Sequence, residues 1–177
     1  MAKSKKEKDI GKWFEDQCSY IFKKMCSKRG RMFYSFPDSR SSRGLIPAQP
    51  GEYMLLIGFG AGLIELKASL KHKSFRSCMS SMVRDSQYGW HKRWHLSNNP
   101  SVFVFYSEKE NIIELWDGRD IVHARSIGKP LVKDNVIKVF DLSKVELENC
   151  IESIIQFLHN STYTKVEDYQ DDEVGML

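Results

Sequence analysis

The 177-residue sequence has no apolar run approaching a membrane span and no secretory signal pattern. A protein that stays out of the bilayer and in the cytoplasm is expected. Its four cysteines (Cys18, Cys26, Cys78, Cys150) form no C-x-x-C pair, so reduced thiols are expected rather than a disulfide framework. No G-x-x-x-x-G-K-[ST] stretch occurs, which excludes a P-loop. His91 and His95 share the i, i+4 spacing of a helical zinc pair, but Lys92 follows His91, so the H-E-x-x-H form is missing. No internal repeat is visible.

What is present is enough for one globular unit. Hydrophobic residues make up 41% and aromatics 12%, sufficient for a sizeable core. The expected division is a folded domain over 1–160 and an acidic, disordered tail over 161–177. The net charge of +4 is unevenly spread. Residues 1–44 carry twelve Lys/Arg against five Asp/Glu, and 67–95 carry seven against one. The tail carries one against five. Two basic regions point to a polyanionic partner, with nucleic acid first.

Along the chain, Ile10, Phe14, Cys18, Ile21 and Met25 fall at helical spacing, which predicts a helix over 5–28. Residues 31–36 read as a short aromatic strand. The loop 37–50 is rich in Ser, Arg and Pro; its Arg40 and Arg43 are forks suited to phosphate. A second helix is expected over 74–96, with an apolar side of Phe75, Met79, Met82 and Val83. Trp90 and Trp94 lie one turn apart on it, either packing on the core or meeting bases beside Lys92 and Arg93. Lys71 and Lys73 extend the same basic stretch. Strands follow over 101–106 and 112–116, then a turn or two of helix over 120–125 and a further edge strand over 136–140. A last helix is expected from Ser143, whose side chain reads as an N-cap with Glu146 three residues on.

The central stretch is 51–69. Two apolar runs, 53–57 and 63–68, flank Gly58-Phe59-Gly60-Ala61-Gly62, which predicts a hairpin on a glycine-rich turn. Glu65 and Lys67 are two apart, so both leave one face, while Ile64, Leu66 and Ala68 fill the other. Glu52 opens the first strand and can converge with Glu65. Charges on so apolar a strand are costly unless paired or bound to metal. Converging carboxylates suit Mg²⁺ or Mn²⁺, and a nearby lysine can steady a phosphate or polarise a water.

Glu52, twelve intervening residues and then Glu65-Leu66-Lys67 resemble the PD-(D/E)xK nuclease superfamily, nearest its Holliday-junction resolvases of archaeal and RecU type. The resemblance spans about residues 8–125. It implies a restriction-endonuclease-like α/β core, a mixed sheet of about five strands flanked by helices. It implies a Mg²⁺- or Mn²⁺-dependent endonuclease acting on DNA, with resolvase, nickase and restriction-type enzymes sharing that core, and a homodimer if branched DNA is cut. A chain that has lost turnover and only grips DNA is the alternative. By the same resemblance Glu15 on the first helix joins the metal shell with Glu52, Glu65 and the carbonyl of Leu66. Lys67 orients the nucleophile, and Gln87 matches the glutamine on the following helix. The usual first acid is Asp; Pro37-Asp38 is a literal Pro-Asp and the rival to Glu52, which is preferred for its place at the hairpin mouth.

Overall fold

The computed structural model describes residues 5–27, 31–36, 52–57 and 60–163. It is α/β: a six-stranded mixed open sheet with helices on both faces. The strands are β1 (Met32–Ser35), β2 (Tyr53–Ile57), β3 (Gly60–Ser69), β4 (Ser101–Ser107), β5 (Ile112–Asp117) and β6 (Val136–Asp141), and they lie side by side in chain order. All neighbours are antiparallel except β3 and β4. That parallel pair needs a crossover, which is built from helices α2 (Met79–Met82) and α3 (Asp85–Leu96). The sheet has six strands rather than about five, because β6 pairs with β5 from Ile112↔Asp141 to Trp116↔Val136.

Alternation along the strands sends side chains into two cores. On one face Ile64, Leu66, Val102, Val104 and Ile113 meet α1 (Lys5–Cys26) and α5 (Leu147–Tyr163), including Phe14, Phe22, Ile151 and Ile154. On the other, Phe103, Phe105 and Trp116 pack with Phe75, Met79, Val83 and with Ile121 of α4 (Gly118–Ser126). Buried Glu114 serves that second core: its Oε2 accepts from Phe75 N at 2.8 Å and from Trp116 Nε1 at 3.0 Å. All four cysteines are free and buried.

Three expected elements differ. The glycine-rich turn is shorter, because Gly60, Ala61 and Gly62 belong to β3 and pair with Ile57, Leu56 and Leu55. Gly62 answers to packing: a Cβ there would sit 2.8 Å from Leu158 Cδ1 of α5. The helix expected over 74–96 is broken into a 3₁₀ turn (Phe75–Ser77), α2 and α3. Val83 (φ −91°, ψ 114°) and Arg84 (φ −74°, ψ 158°) are extended, and two side chains hold them so. Arg125 Nη1 donates to Val83 O at 2.8 Å, and Gln87 Oε1 accepts from Arg84 N at 3.1 Å. Finally, α5 starts at Leu147 rather than after Ser143. Ser143 is held in a turn, its N–H and hydroxyl both donating to Asp141 Oδ1 at the end of β6.

Candidate active site at the end of the first hairpin

Strand β3 outruns its neighbour. Strand β2 begins at Tyr53, opposite Ile64, so no β2 residue lies beside Leu66 or Ala68. Residues on the even positions of this segment turn their peptide groups toward β2, since Leu63 and Ser69 bond on the β4 side (Leu63 N to Pro100 O, Glu108 N to Ser69 O). The N–H and C=O of Leu66 therefore face the gap that β2 leaves. The Glu52 side chain fills part of it, its Oε2 accepting from Leu66 N at 3.0 Å. Glu52 is half-buried as a residue, and its carboxyl is the enclosed end.

On the sheet face below α3, Glu65 is fully buried and Lys67 nearly so. Lys67 Nζ donates to Glu65 Oε1 and, at 3.3 Å, to Gln87 Oε1. Gln87 Nε2 donates to the same Glu65 Oε1. Gln87 is itself oriented by Arg84 N, so the break before α3 aims the amide into the site. Glu15 lies on α1, which packs on the opposite face, and feels the charges of Lys67 and Glu65. Tyr53 donates from its hydroxyl to Glu15 O at 3.1 Å.

The charges are unbalanced: three carboxylates face one ammonium. The carboxyl of Glu52 is pushed well above the usual range, first by burial and then by repulsion from Glu65; Lys67, and less so the Leu66 N–H, act against it. Glu15 is raised in the same direction, again first by burial, with Lys67 opposing and Glu65 adding. The repulsions place Glu15, Glu52 and Glu65 within one another's field. Glu65 Oε2 is buried without a hydrogen-bond partner, which is costly for a carboxylate oxygen. An unpartnered carboxylate oxygen, two further carboxylates within its field and the Leu66 carbonyl are all oxygen donors, the kind that a hard divalent cation takes. Among the described residues no three acidic, His or Cys side chains form a ready-made metal cage. The donors fit such an ion in kind.

The remaining candidates divide. Lys92 and Arg93 are exposed on the outer side of α3, with the Arg93 guanidinium 5.4 Å from the Trp90 ring centre. Trp90 and Trp94 are half-buried, and Trp94 Nε1 donates to Pro100 O at 3.0 Å. Lys71 is exposed; Lys73 is exposed and ion-paired with Glu110 at 2.8 Å. Arg40, Arg43 and Asp38 lie outside the described residues, so the rivalry between Asp38 and Glu52 stands where the sequence left it. His91 and His95 converge on Ser101 Oγ (2.8 and 3.1 Å), which uses their spacing for a buried polar tie between α3 and β4. Sequence reasoning missed Tyr53, Arg84 and Ser101 as supports. Tyr53 had a signal, since an aromatic with a polar tip follows the candidate acid directly.

Among the described residues no helix is long and apolar enough to cross a membrane. Compared with known proteins, the chain matches no family model, and no curated protein matches it.

Proposed function

We propose that this protein is a metal-dependent endonuclease of PD-(D/E)xK type that hydrolyses DNA phosphodiester bonds. The observation that carries the reading is the buried Glu65. It shares Oε1 with Lys67 and Gln87 and leaves Oε2 buried and unpartnered, with Glu52 and Glu15 close enough to feel its charge. A buried carboxylate oxygen left without a donor is costly, and an added cation would relieve that cost.

Glu65, Glu52, the carbonyl of Leu66 and Glu15 would hold Mg²⁺ or Mn²⁺. When bound, such an ion lowers the pKa of a coordinated water and neutralises charge on a phosphate. The chain's own groups do the rest. Lys67, held by two acceptors, supplies a fixed ammonium at the edge of the carboxylates, placed to donate to a phosphate oxygen or to an attacking water. Gln87 holds both groups, donating from Nε2 to the Glu65 carboxylate and accepting at Oε1 from the Lys67 ammonium. Lys92 and Arg93, with Arg40, Arg43 and Lys71, serve the phosphate backbone; Lys73 would first have to leave Glu110. Branched DNA would require a homodimer, and this work would be done in the cytoplasm.

The second reading is a DNA-binding module without turnover. It is favoured by the engaged state of Glu52, whose Oε2 is already occupied by Leu66 N. Cleavage separates the two. Supercoiled plasmid and a synthetic four-way junction are incubated with and without Mg²⁺ or Mn²⁺, wild type beside Lys67→Ala. Metal-dependent cutting lost in the variant is expected; paired symmetric nicks on the junction mark a resolvase, plasmid nicks alone a nickase. Binding without cutting by either protein would establish the binding module.

A further inference from the structure

A cavity of about 380 Å³ opens on the α2–α4 side of the molecule, away from the carboxylates. Its floor is apolar: Met79, Ala124 and Leu131 are buried there. Its rim is cationic, with Arg76 and Lys129 exposed. Neither forms an ion pair among the described residues. Arg125 forms a fixed wall: it donates to Val83 O and to Asp85 Oδ1, and its guanidinium lies 5.0 Å from the Tyr88 ring centre. The loop bearing Lys129 is set by Gly128 (φ +65°), after which Lys129 N returns to Ala124 O at 2.9 Å. A β-carbon at Gly128 would meet nothing within 4 Å, so backbone conformation rather than space calls for glycine there.

A ligand for this cavity needs an anion for the rim and an apolar body for the floor. The volume falls within the range of small-ligand pockets. We propose that the cavity binds one nucleotide, its phosphate between Arg76 and Lys129 and its base against Met79, Ala124 and Leu131. The choice of a nucleotide over other amphipathic anions rests on the nuclease reading. The geometry adds a link to that site. The segment 83–87 touches the cavity wall at Val83 and Asp85, and contacts Glu65 and Lys67 through Gln87. Arg125, which lines the cavity, is thus hydrogen-bonded to the segment that orients Gln87.

The test uses the full chain in buffer without divalent metal, so a protein unable to cut still answers. Binding of dTMP, inorganic phosphate and a fluorescent oligothymidylate is measured by calorimetry and anisotropy. Wild type is compared with the surface double variant Arg76→Glu/Lys129→Glu and with Lys109→Glu. The expected result is that dTMP binds more tightly than phosphate. The double variant should weaken dTMP by about tenfold or more, and Lys109→Glu, exposed on the turn between β4 and β5, should leave it unchanged. A loss of oligothymidylate affinity in the double variant that matches the loss of dTMP assigns the pocket to a strand; a loss for dTMP alone assigns it to a free nucleotide. Unchanged dTMP affinity in the double variant, or equal affinity for phosphate and dTMP, would overturn the proposal. Loss of cleavage in Lys67→Ala tests the active site alone, so the two failures are distinguishable.

Discussion

Glu52 and His91 give the stability of this protein opposite responses to pH. His91 is buried against Phe103, with ring centres 4.2 Å apart, and burial lowers its pKa from 6.5 to about 3. The folded chain keeps it neutral while the unfolded chain takes up a proton below 6.5. Its contribution is therefore complete above 6.5 and is lost as pH falls toward about 3. Glu52 and Glu15 are raised, so the folded state holds their protons more tightly than the unfolded one. Their contribution is present below the ordinary carboxylate value of 4.5 and is lost as pH rises through the raised folded pKa. Urea denaturation across this pH range should show His91→Gln flattening the acid-side fall. Glu52→Gln should flatten the opposite slope and raise Tm at neutral pH, because an amide oxygen can still accept from Leu66 N. In the nuclease reading Mn²⁺ raises the Tm of the wild type, more at mildly alkaline than at mildly acidic pH, since ion and protons compete for the carboxylates. Scanning calorimetry of Glu52→Gln and Glu65→Ala should show that shift gone. The hairpin carboxylates and lysine were legible in the sequence because a period-two charge pattern on an apolar strand has few inexpensive explanations. The Ser101 tie was not, because its partners lie six and ten residues away on another element.

Helices α3 and α4 set a contrast between two glycines. A β-carbon added at Gly89 in α3 would meet nothing within 4 Å, so Gly89→Ala should follow intrinsic helix propensity and stabilise by about 0.5–1 kcal/mol. Gly118 opens α4 with its α-carbon against β4; a Cβ would lie 2.0 Å from Ser101 Oγ and 3.2 Å from His91 Nδ1. Gly118→Ala should cost about 1–3 kcal/mol despite the better propensity, as overpacking displaces the tie between α3 and β4. Chemical denaturation of the two variants should give opposite signs, and a loss of stability in Gly89→Ala would show α3 to be crowded on that side. The helix break at Val83 and Arg84 illustrates what the sequence hid. Neither residue is a breaker by type. The break is imposed by Arg125, forty-two residues from Val83, and by Gln87, whose amide competes for the first free N–H. Strand alternation was readable because each period is local; the start of α5 was not, because Asp141 claims Ser143 from the end of β6.

At the scale of the whole molecule, the sheet order follows the chain order, and this explains why the α/β class and the succession of elements could be read at all. Each strand finds its partner among its sequence neighbours, with a single crossover. What could not be read was the depth of β6 and the reach of β3 beyond β2, which depend on where neighbouring strands stop. In the nuclease reading the charge distribution yields a prediction at this scale: affinity for DNA falls steeply with salt, and Lys92→Ala/Arg93→Ala reduces the slope of log affinity against log salt by about 1–2. Anisotropy titrations at several salt concentrations measure it, and an unchanged slope would remove α3 from the DNA surface. The same order of strands also divides the molecule into two halves. Strands β1 to β3 come before the exposed 97–98 turn, β4 to β6 after it, and the halves meet along the parallel β3–β4 seam. Helix α5 crosses back from the second half onto α1 and β3 of the first, as a clasp. Co-expressed as two polypeptides cut in that turn, the halves should reassemble, with the acids and lysine of the hairpin on one piece and Gln87 beside them. The substrate-facing chemistry would then belong to a single fragment, and the second would act as its scaffold.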